Sequence, residues 1–293
     1  MNRCAYLTMD NLEGFFAYDH VTHEPLAELG WQVDEIPWRT PNVCWDDYRL
    51  VVIRSPWDYQ ADVRAFLDVL GQIDRSSARL ENCLDVVRWN IEKTYLRDLA
   101  ERGVAIVPTR WLQGLDERTL TGLFEEFGTA EVVLKPLVGA NADDTFRVAA
   151  NAGRDEKERV LRTFQERGLL AQPFVPSIVT VGEYSLFYFV GGYSHCVLKT
   201  PTSGDFRVQE EHGGSIRAVI PDSNLLAAGQ CAIQAVDRTL LYARVDLAVL
   251  NDGQPAVMEV ELIEPSLYFN YDQGAARRFA TAVDQLMTGE RRT

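Results

Sequence analysis

A chain of 293 residues with 46% hydrophobic and 25% charged side chains is long enough to bury a sizeable core and is ordinary for a globular protein. Forty-three acidic against 29 basic residues leave a net charge of −14, which repels nucleic acid and anionic membrane, and no local basic patch offsets it. The opening MNRCAYLTMDNLEG has no apolar run of signal-peptide length, no segment approaches a membrane span, and the five cysteines are scattered without CxxC spacing. The expected protein is therefore cytoplasmic, with reduced thiols and with neither nucleic acid nor membrane as partner.

Cys4 to Leu7 reads as a first strand that breaks into a polar loop, and 20–30 as a helix that Gly30 stops. Trp31 to Trp38 alternates as a second strand. Tyr48 to Arg54 is a short continuous apolar run of the kind buried in a parallel sheet. A helix follows, with Val63, Phe66, Leu67, Leu70 and Ile73 at helical spacing. These elements predict an α/β unit over residues 1–83. Ligands in such sheets lie beyond the carboxyl ends of the strands. Arg54 and Ser55 fall at such an end, where they serve either a small anionic substrate or the strand-to-loop junction.

Asp85 to Gly103 has the spacing of one helix, with Val87, Ile91, Tyr95 and Leu99 in a stripe, Asp85 as its cap, Gly103 as its stop and Lys93 projecting off the stripe. Val104 to Leu112 resembles a strand, with Pro108 marking an edge. A short helix over 120–127 precedes the strand Glu131 to Pro136. The small-residue loop Gly139-Ala140-Asn141-Ala142-Asp143-Asp144-Thr145 could wrap phosphates with its backbone amides. A charged helix over 155–167 and a strand over 169–174 complete a second α/β unit, residues 112–175.

Tyr184 to Val190 and Tyr193 to Thr200 pair around Gly191-Gly192, and the polar segment Gly204 to Ser215 carries a glycine pair that permits close backbone approach. A helix over 225–241 leads into two β-rich runs that flank Asn251-Asp252-Gly253-Gln254, a strong hairpin signal. With Asp252 and Gly253 as the loop, Asp246 faces Glu259 and Arg244 faces Glu261, all on one face. Val245, Leu247 and Val249 pack against Met258, Val260 and Leu262 on the other. Opposed side chains lie about 4.5–5.5 Å apart at Cβ, where like charges repel. Three carboxylates against one guanidinium therefore call for a divalent cation with hard oxygen ligands, unless the face is merely solvated. A terminal helix covers 274–287.

Neither GxxxxGK[ST], GxGxxG nor GxSxG occurs, which excludes the common phosphate-loop, dinucleotide and serine-hydrolase signatures. His20 and His23 lack further ligands and read as a surface pair, and His212 lies in a candidate substrate loop.

Taken together, the acidic hairpin RVD…ExE followed by a proline, the two lysines, the small-residue loop and the Gln-Pro-Phe turn resemble the ATP-grasp ligases, across nearly the whole chain. The resemblance implies a Rossmann-like N-terminal α/β domain, residues 1–83, and a two-lobed ATP-grasp fold over 84–293 with a mobile lid at 112–175. It implies ATP and Mg²⁺ as cofactors, with two ions and Mn²⁺ as a substitute. By position, it implies that Lys93 and Lys135 contact phosphates, that Gly139, Ala140 and Asn141 cover them, and that Gln172, Pro173, Phe174 and Val175 hold adenine near Glu183. Asp246, Glu259 and Glu261 match the metal ligands, although relatives commonly carry asparagine at the position of Glu261. Arg244 and Arg207 match the reacting end, and Gln209, His212, Gly213 and Gly214 the substrate loop.

The implied activity is that of a carboxylate-amine ligase of the glutathione synthetase-like type, which forms an amide bond in a small metabolite through an acyl phosphate. A ring-closing ligase of the D-cycloserine type and a non-catalytic nucleotide-binding module are the alternatives. Small carboxylate and amine substrates are the implied partners, and a homodimer the implied assembly.

Overall fold

The apolar run that marks Leu50 to Ile53 in the sequence becomes the middle of a parallel sheet in the computed structural model, which describes residues 1–139 and 142–289. That sheet is made by β1 (Asn2–Thr8), α1 (His23–Glu28), β2 (Trp31–Pro37), β3 (Leu50–Ser55), α2 (Val63–Asp74) and β4 (Arg79–Glu81). Its strands run in the order β2-β1-β3-β4. Every residue of β3 is buried, as a strand covered on both faces must be. The Asp62 side chain accepts the Ala65 amide proton and so starts α2, whose Phe66, Leu70 and Ile73 join Val51, Ile53 and Leu80 in one apolar cluster.

The helix expected over 85–103 is two helices, α3 (Leu84–Asn90) and α4 (Tyr95–Glu101). Its stripe is buried and Gly103 ends it at φ +87°. Asp85 is not the cap, since Cys83 holds that position without a side-chain bond. Between the helices the Lys93 amide donates to the Leu137 carbonyl at 2.8 Å, a bond to another element that ends the helical ladder.

The strand expected over 104–112 divides between two sheets. Val107 donates to the Val257 carbonyl at 3.0 Å, while β5 (Arg110–Leu112) joins a separate antiparallel sheet. Pro108 sits between the two pairings and lacks a donor for either. The other strands of that sheet are β6 (Glu131–Pro136), β7 (Phe146–Ala149) and β8 (Leu169–Pro173), in the order β5-β8-β6-β7, and the helices α5 (Glu117–Phe127) and α6 (Arg154–Phe164) accompany them. Leu120, Leu123, Val160 and Phe164 pack both helices onto it.

The third sheet follows α7 (Ser177–Thr180). It comprises β9 (Glu183–Phe189), β10 (Gly192–Thr200), β11 (Ser215–Ala218), β12 (Tyr242–Val249) and β13 (Pro255–Glu261), while α8 (Ser223–Ala235) and α9 (Ala275–Thr288) pack against it. The strands are antiparallel in the order β11-β10-β9-β12-β13. Alternation along β12 sends Ala243, Val245 and Leu247 into one core and Arg244 and Asp246 to the opposite face. Among the described residues no helix is long and apolar enough to cross a membrane.

Both hairpins differ from their expected turns. The β9–β10 turn centres on Val190 and Gly191, each with positive φ (47° and 75°), one residue before the expected glycine pair. In β12–β13 the loop has three residues: Leu250 donates to Gln254 at 2.8 Å, and Gly253 takes φ +81°. The ladder shifts register again between Asp246 and Leu247. The two offsets cancel, so Asp246 still faces Glu259 and Arg244 still faces Glu261, whereas Leu247 faces Val257 and Met258 leaves the expected core row.

Asn82 joins the first sheet to the third. Its amide donates to the carbonyls of Tyr242 (2.9 Å) and Leu262 (2.7 Å), and its oxygen accepts from the Leu241 amide at 2.8 Å. Asn82→Ala removes all three bonds at a fully buried position and should lower the unfolding free energy by on the order of 3 kcal/mol. Chemical denaturation checks this, and a change within experimental error would contradict the joining role.

Candidate active site

A single cleft collects residues from the second and third sheets and from the segment that follows β3. Asp246 and Glu259 face each other across β12 and β13, with Glu261 two residues on, and each of the three offers an oxygen within 4.8 Å of the others. The chain places cations among them. Lys135, at the end of β6, lies 3.2 Å from Glu259, and Lys93, at the break between α3 and α4, lies 3.7 Å from the same oxygen. Lys93 also donates to the Gly139 carbonyl at 3.0 Å. Arg244 grips Asp246 at 3.0–3.1 Å, contacts Glu261, and reaches the Ser266 carbonyl at 3.4 Å.

Lys199, which the sequence reading missed, is 3% exposed and bridges Glu183 to Asp246, the latter at 3.4 Å. The missing signal was the register: a turn centred on Gly191 and Gly192 places Lys199 opposite Tyr184, whereas the observed ladder pairs it with Glu183.

The electrostatics follow from this packing. Burial alone would raise the Glu259 carboxyl, but Lys93 and Lys135 more than offset it and hold it down at about 2. For Asp246 the same opposition of burial against Arg244 and Lys199 also ends at about 2. Glu261 goes the other way. Burial, with the nearby charges of Asp246 and Glu259, outweighs Arg244 and pushes it up to about 7. Glu264 is raised further, to about 8, by burial and by Glu261.

One end of the cleft is apolar. Val107, Val175, Ile178, Val208 and Met258 form a small cluster that lines it, joined by Gln172, Pro173 and Phe174. Met258 reaches this wall because the register shift removes it from the opposite core. The Phe174 amide donates to the Glu131 carbonyl at 2.9 Å, so that main-chain donor is already committed to the sheet. The Arg147 guanidinium lies 3.7 Å from the Phe174 ring centroid and forks onto Glu131.

The substrate-side residues are brought together less completely. Arg207 and Gln209 line the cleft, but the Arg207 guanidinium is paired with Asp205 of its own loop at 2.8 Å. Gly213 and Gly214 are not among the residues lining it. A Cβ on Gly214 would come within 2.1 Å of the Val208 carbonyl, so the close approach is to the loop's own backbone. Arg54 and Ser55 are also not at the cleft. Arg54 is 1% exposed, bonded to Asp19 at 2.9 Å and to the Pro265 carbonyl at 3.1 Å, and its role is structural. Ala140, Asn141 and the side chain of His212 lie outside the described residues. Beyond Lys199, the sequence reading missed Trp57, Tyr59, Glu264 and Tyr268, which line the cleft from loops that carry no periodic signal.

Residues 4–82 match the family described as D-cycloserine synthetase DcsG, N-terminal domain. The chain is 31% identical over 278 residues to the cycloserine biosynthesis protein DcsG of Streptomyces lavendulae, covering 89% of this chain and 90% of that protein. Its structure resembles the crystal structure of D-cycloserine synthetase DcsG with a TM-score of 0.82 at 28% identity, covering 98% of this chain and 100% of the other. It shares its fold with D-alanine–D-alanine ligase from Bacillus anthracis, with a TM-score of 0.70 at 15% identity over 99% and 98% of the two chains.

Fold and relatives together define an ATP-grasp ligase, an ATP-dependent enzyme that joins a carboxylate to an amine through a carbon–nitrogen bond. The mixed α/β architecture is the one expected of that class. Within it, the chain belongs to the family of the cycloserine biosynthesis protein DcsG.

Glu261 gives a test of the site's charge balance. Its ordinary value is 4.5 and its folded value about 7, so the folded state holds the proton more tightly, and the stability this confers is lost as pH rises from 4.5 through 7. In metal-free buffer, Glu261→Gln should therefore gain stability relative to the parent between pH 5.5 and pH 8. Denaturant midpoints at the two pH values measure the difference, and a gap that does not move would contradict the charge assignment.

Proposed function

We propose that this chain activates the carboxylate of a small metabolite with ATP as an acyl phosphate and passes the acyl group to an amine, giving an amide or peptide-like bond. The observation that supports this reading best is the convergence of Asp246, Glu259 and Glu261 with Lys93 and Lys135 beside an apolar slot. Ring closure of the D-cycloserine type, with both reacting groups on one molecule, is the second reading, and the 31% identity to the DcsG protein favours it.

The donor set fits Mg²⁺, since all three side chains offer hard oxygens at close range. Asp246, Glu259 and Glu261 would hold it, with two ions in the reading and Mn²⁺ as a substitute. Bound there, the metal supplies charge neutralisation on phosphate oxygens. Lys93 and Lys135 bind the phosphates of ATP from the side of Glu259, and the segment from Gly139 to Thr145 covers them. The apolar wall with Gln172, Pro173, Phe174 and Val175 holds the adenine ring, and Glu183 meets the ribose. Residues 112–175 act as a lid that excludes water while the acyl phosphate persists. Arg244 stabilises the oxyanion as the amine attacks the acyl carbon, because its planar fork suits carboxylate and phosphate oxygens. Arg207 and Gln209 meet the acyl end. A division at residues 83 and 84, a cytoplasmic site of action and a homodimer belong to the same reading and rest on the family resemblance.

The test is ADP release by the purified protein with MgATP and a panel of small carboxylates and amines, with mass analysis of the products. An amide product, or a cyclic one from a single substrate, is expected; ATP turnover that no carboxylate stimulates would contradict the reading. Lys135→Ala should weaken nucleotide binding by about 10–100-fold, the cost of a charged hydrogen bond. Arg244→Ala should instead lower turnover by about 10²–10³. Nucleotide titration and steady-state kinetics separate the two, and unchanged ATP affinity in the lysine variant would remove Lys135 from the phosphate site.

A further inference from the structure

We infer that His195, which lies outside the cleft, is a positioning residue for the reaction: through the Leu267 carbonyl it holds the segment that carries Ser266 and Tyr268 in register with Arg244. The inference rests on the ligase reading above and adds a residue to it.

Between the end of β13 at Glu261 and the turn Phe269–Tyr271 the chain leaves the sheet. Each carbonyl from Leu262 to Leu267 there meets a donor on a different side chain. Asn82 serves Leu262 at 2.7 Å, Tyr242 serves Ile263 at 2.7 Å, and Trp57 serves Glu264 at 2.8 Å. Arg54 serves Pro265 at 3.1 Å, Arg244 serves Ser266 at 3.4 Å, and His195 serves Leu267 at 3.0 Å. A segment outside a ladder meets its backbone requirement in this way. The Arg244 contact is the longest of the series, so His195 is the firmer anchor at the end that carries Tyr268.

Tyr268 needs such an anchor. Its backbone has φ +45°, a left-handed conformation that a bulky residue adopts only where its surroundings impose it. Its side chain lines the cleft together with Ser266, Lys199 and Arg244. Phe187 contacts both partners: its ring stacks on the His195 imidazole at 4.2 Å and meets the Tyr268 ring edge-on at 6.1 Å. His195 therefore bears on Tyr268 through the backbone and through a ring.

The imidazole is built as a fixed strut. A carbonyl only accepts, so Nε2 carries the proton, and Nδ1 of the neutral ring accepts from the Ser194 hydroxyl at 2.9 Å. Ser194 accepts from Arg278 Nε at 2.9 Å, and Arg278 pairs with Asp272 at 2.6 Å. Donation thus runs one way from Arg278 to Leu267 and fixes the tautomer. Burial pushes the imidazole down to about 4, which keeps it neutral. The side chain is 4% exposed and is not among the residues lining the cleft, so it acts through Leu267 rather than on the substrate.

The experiment compares the full chain with His195→Phe, which keeps a ring against Phe187 but has no donor, and with His195→Gln, whose amide replaces the Nε2 proton. Turnover is measured with MgATP, hydroxylamine as the amine and the small carboxylate that the parent uses fastest. Affinity for a non-hydrolysable ATP analogue and hydrogen exchange of the backbone over 262–271 are measured beside it. His195→Phe should lower kcat by about 10–100-fold, the scale of a small misplacement near reacting groups, with unchanged nucleotide affinity and faster exchange over 262–271. His195→Gln should recover most of kcat and of the protection. Should His195→Phe fail to fold, Ser194→Ala takes its place, and loss of the Nδ1 donor should lower kcat by about 2–10-fold.

Parent-like kcat in folded His195→Phe, or in Ser194→Ala where that variant stands in, overturns the inference and leaves the ligase reading standing. A Gln variant no better than the Phe variant does the same, as does an equal loss of nucleotide affinity. Failure of the parent to turn over ATP with any carboxylate overturns the ligase reading and this inference with it.

Discussion

Three carboxylates held on one face of a two-stranded ladder repel one another, and much of the molecule is arranged around containing that repulsion. Asp246 and Glu259 occupy directly opposed positions, and Glu261 follows on the same strand. Lysines from two other parts of the chain, the α3–α4 break and the end of β6, converge on Glu259, while Arg244 and Lys199 hold Asp246. The compensation is uneven. Asp246 and Glu259 are held at about 2, whereas Glu261 is pushed up to about 7. Of the three carboxylates, Glu261 is the one whose charge the protein's own cations leave poorly compensated.

The remaining architecture delivers these side chains. β12 is buried along nearly its whole length, so its polar residues Arg244 and Asp246 are admitted only because they point into the cleft rather than into a core. Asn82 and the Tyr242 hydroxyl, which lies 2.7 Å from each of the Ile53 and Ile263 carbonyls and donates its one proton to either, tie the parallel sheet to the central one. The break between α3 and α4 serves the same end, since a continuous helix would have no reason to turn its backbone toward Leu137 and bring Lys93 to Gly139.

The sequence carried the site where charge and period-two spacing coincide, and lost it where loops decide. The facing of Asp246 with Glu259 was legible from β-rich runs around Asn251 to Gln254, even though the turn was read one residue short, because the later register shift restores the pairing. The same shift displaced Met258 into the apolar wall, which no alternation pattern could announce. Lys199 was missed for a related reason: the turn at Val190 and Gly191 together with the register shift between Tyr193 and His195 sets which residue faces Glu183. Arg54 stands at a strand end of an α/β sheet, a position open both to a ligand and to a role at the strand-to-loop junction. Its burial against Asp19 shows a buried ion pair in that position. Trp57, Tyr59 and Glu264 meet only through the folding of distant loops, so local sequence had nothing to offer about them.

The likeness to DcsG and to D-alanine–D-alanine ligase places the chain among enzymes that share this architecture, and the geometry accounts for how its residues could serve the class. The most direct measurement of the central claim is a crystal structure of the full chain grown with Mg²⁺ and a non-hydrolysable ATP analogue. The account predicts metal density about 2.0–2.2 Å from oxygens of Asp246, Glu259 and Glu261, with the phosphates between Lys93 and Lys135. Nucleotide bound elsewhere, or bound in the cleft with no metal at those three carboxylates, would contradict it.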